Sequence, residues 1–159
     1  MSTSPSDKRL INPVASRLGY RLRRTSSGMM ATLGAALELV GLRPVEATIL
    51  MTIGANPGCI QSDIGRMLGI KRANMVPLIT GLIQKDLVQK SPVDGRSFAL
   101  CLTTQGKDAR READAIMSAH ERRYTRLLTP EYQDALRVVL DVLEQEENAT
   151  DEEREAAVM

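Results

Sequence analysis

Between Lys71 and Ser97 the chain gathers the side chains best suited to holding a polyanion. Lys71, Arg72 and Asn74 stand at the head of a helical pattern, Lys90 lies in an alternating segment, and Asp94, Arg96 and Ser97 surround Gly95 in a turn. Lysine and arginine neutralise phosphates, and an Arg carried on a thin hairpin fits the narrow minor groove of a duplex, where its charge is favoured. Asp94 suits a bracing role, pairing with Arg96 or with the backbone of the turn; the competing reading is a surface ion pair of little worth. Catalytic chemistry has nothing comparable. One histidine (His120), two separated cysteines (Cys59 and Cys101), no glycine-rich phosphate loop after a strand and no nucleophile elbow leave nothing to assemble an active site from, so no enzyme is expected. Cys59, Cys101 and His120 have no metal-ligand spacing either, and neither a metal nor another cofactor is expected.

Positioning these residues falls to two helices and a hairpin. Residues 61–68 place Ile64, Met67 and Leu68 at the i, i+3, i+4 spacing of one helical face, and Gly69 ends that helix. A second period follows at once through Met75, Leu78, Ile79, Leu82 and Ile83. Two helices so closely joined must cross steeply, which is the helix-turn-helix plan: the first braces the second, and the second can lie in a DNA major groove. Residues 87–91 and 97–103 then alternate as strands, with Phe98, Leu100 and Leu102 facing one way, and 92–96 make the turn between them. A hairpin directly after a recognition helix is a wing.

The remaining chain reads as helices. Pro13 suits a first helical turn, and Leu18, Leu22, Thr25, Met29, Leu33 and Leu37 recur at three- and four-residue steps, predicting one long helix over 14–40 closed by Gly41. Pro44 opens another, with Val45, Ile49, Leu50 and Ile53 as its buried stripe and Asn56-Pro57-Gly58 as its stop; Cys59-Ile60 is a candidate short strand. A helix from Lys107 carries Ala109, Ala113, Ile116, Met117, His120, Tyr124 and Leu127, and Thr129-Pro130 restarts the chain into a last helix with Leu136, Val139, Leu140 and Leu143 on its apolar face. Only 3% of residues are aromatic and Trp is absent, so aliphatic side chains and Met must pack the core of what reads as a mostly α protein.

A net charge of +1 conceals polarity along the chain. Residues 1–40 and 61–97 are basic, whereas 141–159 hold eight carboxylates against Arg154 alone. A basic central unit is the expected footprint of a phosphate-binding surface. The first residues lack the apolar core of a signal peptide, and no apolar run approaches the roughly 20 residues of a membrane span, so a cytoplasmic protein is expected.

In this order of parts the chain resembles the MarR family of winged helix-turn-helix transcription regulators. The resemblance covers residues 14–143 and is most specific in Leu87-Val88, Asp94-Gly95-Arg96 and Leu100-Cys101-Leu102-Thr103-Thr104-Gln105-Gly106, which look like the family's wing signature; Leu42-Arg43-Pro44, Asn56-Pro57-Gly58 and Leu128-Thr129-Pro130-Glu131 also fall in the family's places. It implies dimerisation helices (13–41 and 107–147) and a winged helix-turn-helix DNA-binding domain (42–106), while composition alone reads 1–12 as a flexible, Ser-rich arm and 148–159 as an acidic tail. It further implies a homodimer with interleaved N- and C-terminal helices, reading a palindromic operator in double-stranded DNA as a repressor. Relatives commonly respond to small aromatic or phenolic compounds or to acyl-CoA thioesters, which by position brings in Arg17, Tyr20, Arg21, Arg24, Met29, Met30, His120 and Tyr124. Arg17, Arg21 and Arg24 share one helical face at i, i+4, i+7, where a carboxylate or the phosphates of CoA would fit as well as a solvated basic stripe or DNA phosphate contacts. Alternatives are a DNA-binding protein or adaptor without an effector, and an oxidant sensor using Cys59 and Cys101.

The chain departs from the family at three positions. Lys71 stands where many relatives carry an Asp or Ser cap before the recognition helix, and Ile60 where a Thr or Ser cap precedes the helix before it; neither side chain can accept a capping bond. Pro77 falls inside the recognition helix, at a position where the family places a polar, often basic residue. The expected DNA contacts are therefore Lys71, Arg72, Asn74, Lys90, Asp94, Arg96 and Ser97.

Overall fold

Leu37, Ile49, Leu50, Ile53, Ile64, Met75, Ile79, Leu82 and Leu100 are almost wholly removed from water, and the elements carrying them define the first of two units, residues 1–116 and 117–159. The computed structural model describes residues 10–92 and 98–149. In chain order the elements are α1 (Leu18–Glu38), α2 (Pro44–Ala55), β1 (Cys59–Ile60), α3 (Gln61–Met67), α4 (Arg72–Gln84), β2 (Val88–Pro92), β3 (Phe98–Leu102), α5 (Thr104–Thr125) and α6 (Pro130–Asn148). The strands form one antiparallel sheet in the order β1-β3-β2, with Cys59 opposite Leu100 and Lys90 likewise opposite Leu100 from the other side. This is a mostly α winged helix-turn-helix. Among the described residues no helix is long and apolar enough to cross a membrane.

Two boundaries differ from the periodicity. The long first helix starts at Leu18 rather than Val14, because Asn12 organises its own turn: its Oδ1 accepts the Val14 N–H at 3.1 Å and its carbonyl the Ala15 N–H at 3.3 Å. The fifth helix starts at Thr104 rather than Lys107, because Thr103 caps it, its Oγ1 accepting the Gly106 N–H at 2.9 Å. Met67, placed on the apolar face of α3 by its spacing, is 65% exposed. Leu68 and Ile64 turn inward instead, since a seven-residue helix buries only a narrow stripe.

The turn between α3 and α4 is a Schellman motif. The Ile70 N–H reaches the Gly65 carbonyl at 2.8 Å, the Gly69 N–H reaches Arg66 at 3.3 Å, and Gly69 takes the required positive φ of 63°. At the end of α4 the same pair of bonds recurs, Leu87 to Leu82 and Asp86 to Ile83, both 2.9 Å, with Asp86 at φ 56°. Aspartate tolerates this region better than other non-glycine residues. Beyond that turn α5 comes so close to the chain that a Cβ on Gly106 would stand 1.8 Å from the Leu87 carbonyl oxygen. Only glycine fits there.

Glu46 is the one buried charged residue of the described core. Its Oε2 accepts the Arg43 N–H at 2.8 Å, which is half of a capping box for α2, and its two oxygens accept Lys85 Nζ at 3.0 and 3.1 Å. Lys85 Nζ also donates to the Gly41 carbonyl at 3.0 Å. Burial alone would raise the Glu46 pKa; the Arg43 N–H, the Lys85 ammonium and the Arg43 guanidinium together outweigh it and hold the carboxyl below its usual value.

In the second unit, α5 turns into α6 at Thr129-Pro130, and Gln133 Nε2 closes the turn by donating to the carbonyls of Thr125 and Leu128 at 2.9 and 3.2 Å. Thr129 occupies the N-cap position without capping; its side chain bonds to Glu131 and, with that residue's own N–H, lowers the Glu131 carboxyl pKa. No residue of α6 is buried.

Two substitutions test this framework. Gly106→Ala drives a methyl group into backbone that cannot rotate away, and should cost about 3 kcal/mol or more in urea unfolding with an unchanged m-value. Glu46→Gln should cost about 1–2 kcal/mol at pH 7, the low figure reflecting the water-exposed Lys85 end. Because the folded pKa is depressed, that stability is present above the ordinary carboxylate range and lost as pH falls through the folded value. The gap between wild type and Glu46→Gln should therefore close as the pH is lowered through and beneath the ordinary carboxylate range, as read from urea midpoints at successive pH.

Candidate nucleic-acid interface

The helix-turn-helix is built on one buried stripe. Met75, Ile79 and Leu82 sink into the core beside Ile64 and Gly65 of α3, which fixes how α4 is rolled about its axis. Both helices begin without a side-chain cap: Ile60 and Lys71 hold the N-cap positions and make no capping bond, as their chemistry requires. The first turn of α4 contains no acid, and a lysine precedes it, so this end of the helix dipole is uncompensated by the protein.

Alongside α3, the start of α4 and the sheet runs a groove of about 490 Å³. Arg66, Arg72 and Lys90 supply its charge, Gln61 and Ser62 further polar groups, and Ile60, Ile70, Met75, Val76, Phe98 and Leu100 the apolar wall. Arg72 and Lys90, singled out from sequence, are thus brought to one groove. Arg66, Gln61 and Ser62 were not singled out; the hydrophobic period of α3 pointed to its buried face, Ser62 and Arg66 are exposed away from that face, and Gln61 is half-buried at the helix start. The Arg66–Asp63 pair at 3.6 Å is exposed at both ends, so it commits little of the Arg66 charge. Lys90 Nζ lies 5.9 Å from the Phe98 ring centroid, a cation–π contact that steadies the ammonium on the strand.

Lys71 and Asn74 are exposed at the head of α4 and do not line the groove. Asp94, Arg96 and Ser97 lie outside the described residues. Pro77 is the sixth residue of α4, and the helix runs through it from Arg72 to Gln84. The Ala73 carbonyl thereby loses its i+4 donor, at a helix-interior cost of about 3 kcal/mol. Pro77 is exposed.

The residues expected at an effector site fall into both units. In the first, Tyr20 accepts the Asn12 amide at 2.8 Å and lies 5.5 Å beneath the Arg23 guanidinium. The Asn12 bond, then Arg24, lowers the Tyr20 hydroxyl pKa. Arg17, Arg21 and Arg24 are exposed on the same face of the helix start, while Met29 is half-buried and Met30 exposed. In the second unit His120 and Tyr124 meet edge to face with centroids 5.0 Å apart, and Arg123 lies 5.6 Å over the Tyr124 ring. Among the described residues no cluster of His, Cys, Asp and Glu could hold a metal ion. Cys59 and Cys101 are free and half-buried on adjacent strands. Burial, with smaller help from Cys101 and Asp63, raises the Cys59 pKa against its own backbone hydrogen bond.

Known proteins share this arrangement. The MarR family model matches residues 40–97. The transcriptional repressor CouR bound to a 23-mer DNA duplex is 32% identical, with a TM-score of 0.78 over 85% of this chain and 98% of that one. CouR bound to p-coumaroyl-CoA is 28% identical over 90% of this chain and 100% of that one, TM-score 0.76. The MarR family protein Rv2887 of Mycobacterium tuberculosis in complex with salicylic acid is 25% identical over 80% and 96%, TM-score 0.63. As a curated sequence, the HTH-type transcriptional repressor Rv2887 is 27% identical over 128 residues, 79% of this chain and 92% of that one. With a winged helix-turn-helix, its basic groove, and a repressor 32% identical along nearly its whole length, this chain belongs to the MarR family of transcription regulators.

Proposed function

We propose that the protein is a homodimeric repressor that holds a palindromic operator and releases it when a small aromatic acid, or its CoA thioester, binds. The observation that carries the DNA half is the basic groove, where Arg66, Arg72 and Lys90 come from three different elements to one surface. Convergence of this kind is what phosphate contacts need. Lys71 and Asn74 extend the contact along the head of α4, and Asp94, Arg96 and Ser97 carry it to the minor groove. The likeness to CouR in its DNA-bound form supports the same reading.

Homodimerisation follows from what α6 leaves uncovered. Leu136, Val139 and Leu140 are exposed at i, i+3, i+4, and Leu143 continues the stripe one turn further. On α1, Leu18 and Leu22 are exposed at the same spacing. Burial against a symmetry mate removes these stripes from water. The effector half rests on the basic face of Arg17, Arg21 and Arg24 beside Tyr20, on Met29, on the His120–Tyr124 pair, and on relatives bound to p-coumaroyl-CoA and to salicylic acid. A ligand releases DNA only in proportion to its preference for the arrangement that DNA does not accept. Sensing through a thiolate is the weaker reading, because burial raises the Cys59 pKa.

Replacing Arg72, Lys90 or Arg96 by Ala should weaken operator binding across all sequences, lower the salt dependence of binding by about one unit of slope per lost phosphate contact, and leave the dimer intact by sedimentation. Unchanged affinity in all three removes the groove and wing from the interface. Among phenolic acids and their CoA thioesters, a compound that raises the melting temperature should also release the operator in a gel shift, and Arg17→Ala with Arg21→Ala should reduce both effects. Stabilisation without release identifies a ligand that is no effector.

A further inference from the structure

From Ala73 to Gln84, α4 contains no charged residue. Its buried stripe of Met75, Ile79 and Leu82 sets the helical phase, and at 100° per residue the side facing away from the core falls on Ala73, Pro77 and Thr80, with Val76 on one shoulder. All four are exposed, Val76 by 47%. The basic groups, Arg66, Arg72 and Lys90, line the groove along one flank of this ridge, a groove that Val76 shares with them. A helix held against phosphates by such flanking charges turns an apolar ridge toward the base edges. There the complementary feature is the 5-methyl group of thymine, the one apolar group in the major groove.

Building on the DNA-binding reading above, we infer that Ala73, Val76 and Pro77 are specificity-determining residues that read thymine methyl groups in each half-site. The Pro77 ring is a rigid apolar surface with no N–H and almost no rotamer freedom to lose, so its contact with a methyl is pre-organised. The same stretch offers no Arg or Lys fork to guanine. Discrimination at the positions beneath Ala73, Val76 and Pro77 therefore comes from removing methyl surface from water, and hydrogen-bonded readout is left to Asn74 at the head of the helix.

The test uses the full chain and a duplex enriched by it from a randomised library. Each thymine of the half-site is replaced in turn by deoxyuridine, which keeps the base pair and every hydrogen-bonding edge and removes only the methyl. At one to three positions per half-site the affinity should fall roughly three- to five-fold, the worth of one methyl group taken out of water. Val76→Ala and Pro77→Ala should erase the deoxyuridine penalty at their own positions, whereas Lys90→Ala should weaken thymine and uracil duplexes equally. Both ridge variants sit on the exposed side of the helix, and Pro77→Ala restores a helical N–H, so folding is retained and circular dichroism checks it. Affinity indifferent to deoxyuridine throughout the half-site overturns the inference, as do penalties that persist unchanged at every position in both ridge variants, which would assign them to duplex shape. Failure to enrich any duplex overturns the DNA-binding reading as well.

Discussion

The buried carboxylate of Glu46 holds the winged unit together at a point where four segments meet. Through Lys85 it ties the elbow between α1 and α2, at Gly41 and Arg43, to the end of α4. The next two residues continue the connection through their backbones. Thr103 Oγ1 donates to the Asp86 carbonyl at 2.6 Å, the Thr103 N–H to Leu87 at 3.2 Å, and Gly106 packs onto that same Leu87 carbonyl. Residues 85–87 thus fasten α2, α4, the wing and the start of α5 in one short span. An ion pair with a buried carboxylate is a weak source of net stability but a strong constraint on geometry, since any rearrangement that separates it strands the Glu46 charge.

That constraint decides how motion can pass through the fold. Because the end of α4 is pinned to both the α1–α2 elbow and the α5 cap, the recognition helix cannot reorient alone. A change of angle at α1 or α5 moves the winged unit as one body, in the manner of rigid rotation about an interface. On the function proposed above, an effector on α1, the helix that ends at this elbow, would act on the separation of two such bodies and not on the shape of either. The required coupling is modest, since a separation that no longer matches the half-sites costs contacts in both subunits together.

Most of the fold was legible because its elements carry strong local signals. The periods of α2 and α4, the Asn56-Pro57-Gly58 stop, the short Cys59-Ile60 strand and the alternation through Leu100 and Leu102 all stand in the structure. The wing signature of Leu102-Thr103-Thr104-Gln105-Gly106 acquires a physical reason: threonine as cap of α5 and as donor to the Asp86 carbonyl, glycine as the only residue that lets α5 meet Leu87. What was not legible depends on long-range meetings. Glu46 reads as a surface acid until Lys85, thirty-nine residues away, is seen to reach it. Arg66 reads as a solvated charge until β2 and β3 bring Lys90 and Phe98 alongside. Asn12 shortened α1 through a side-chain turn that hydrophobic periodicity does not register.

Pro77 is where local and global signals conflict, and such conflicts concentrate at functional surfaces. The helix carries a proline in its interior, on its exposed side, and nothing in the described core gains from it. Its neighbours on that side include Ala73, Val76 and Thr80, so the loss of helix stability coincides with a surface stripped of charge. On the reading proposed above, phosphate attraction and sequence discrimination are carried by different residues: the first by Arg66, Arg72 and Lys90 lining the groove, the second by the exposed ridge of α4. Salt weakens the first and leaves the second almost untouched, because transfer of methyl groups from water does not depend on released counterions. A repressor built in this way loses affinity in rising salt while keeping its ranking among operators that differ only beneath α4.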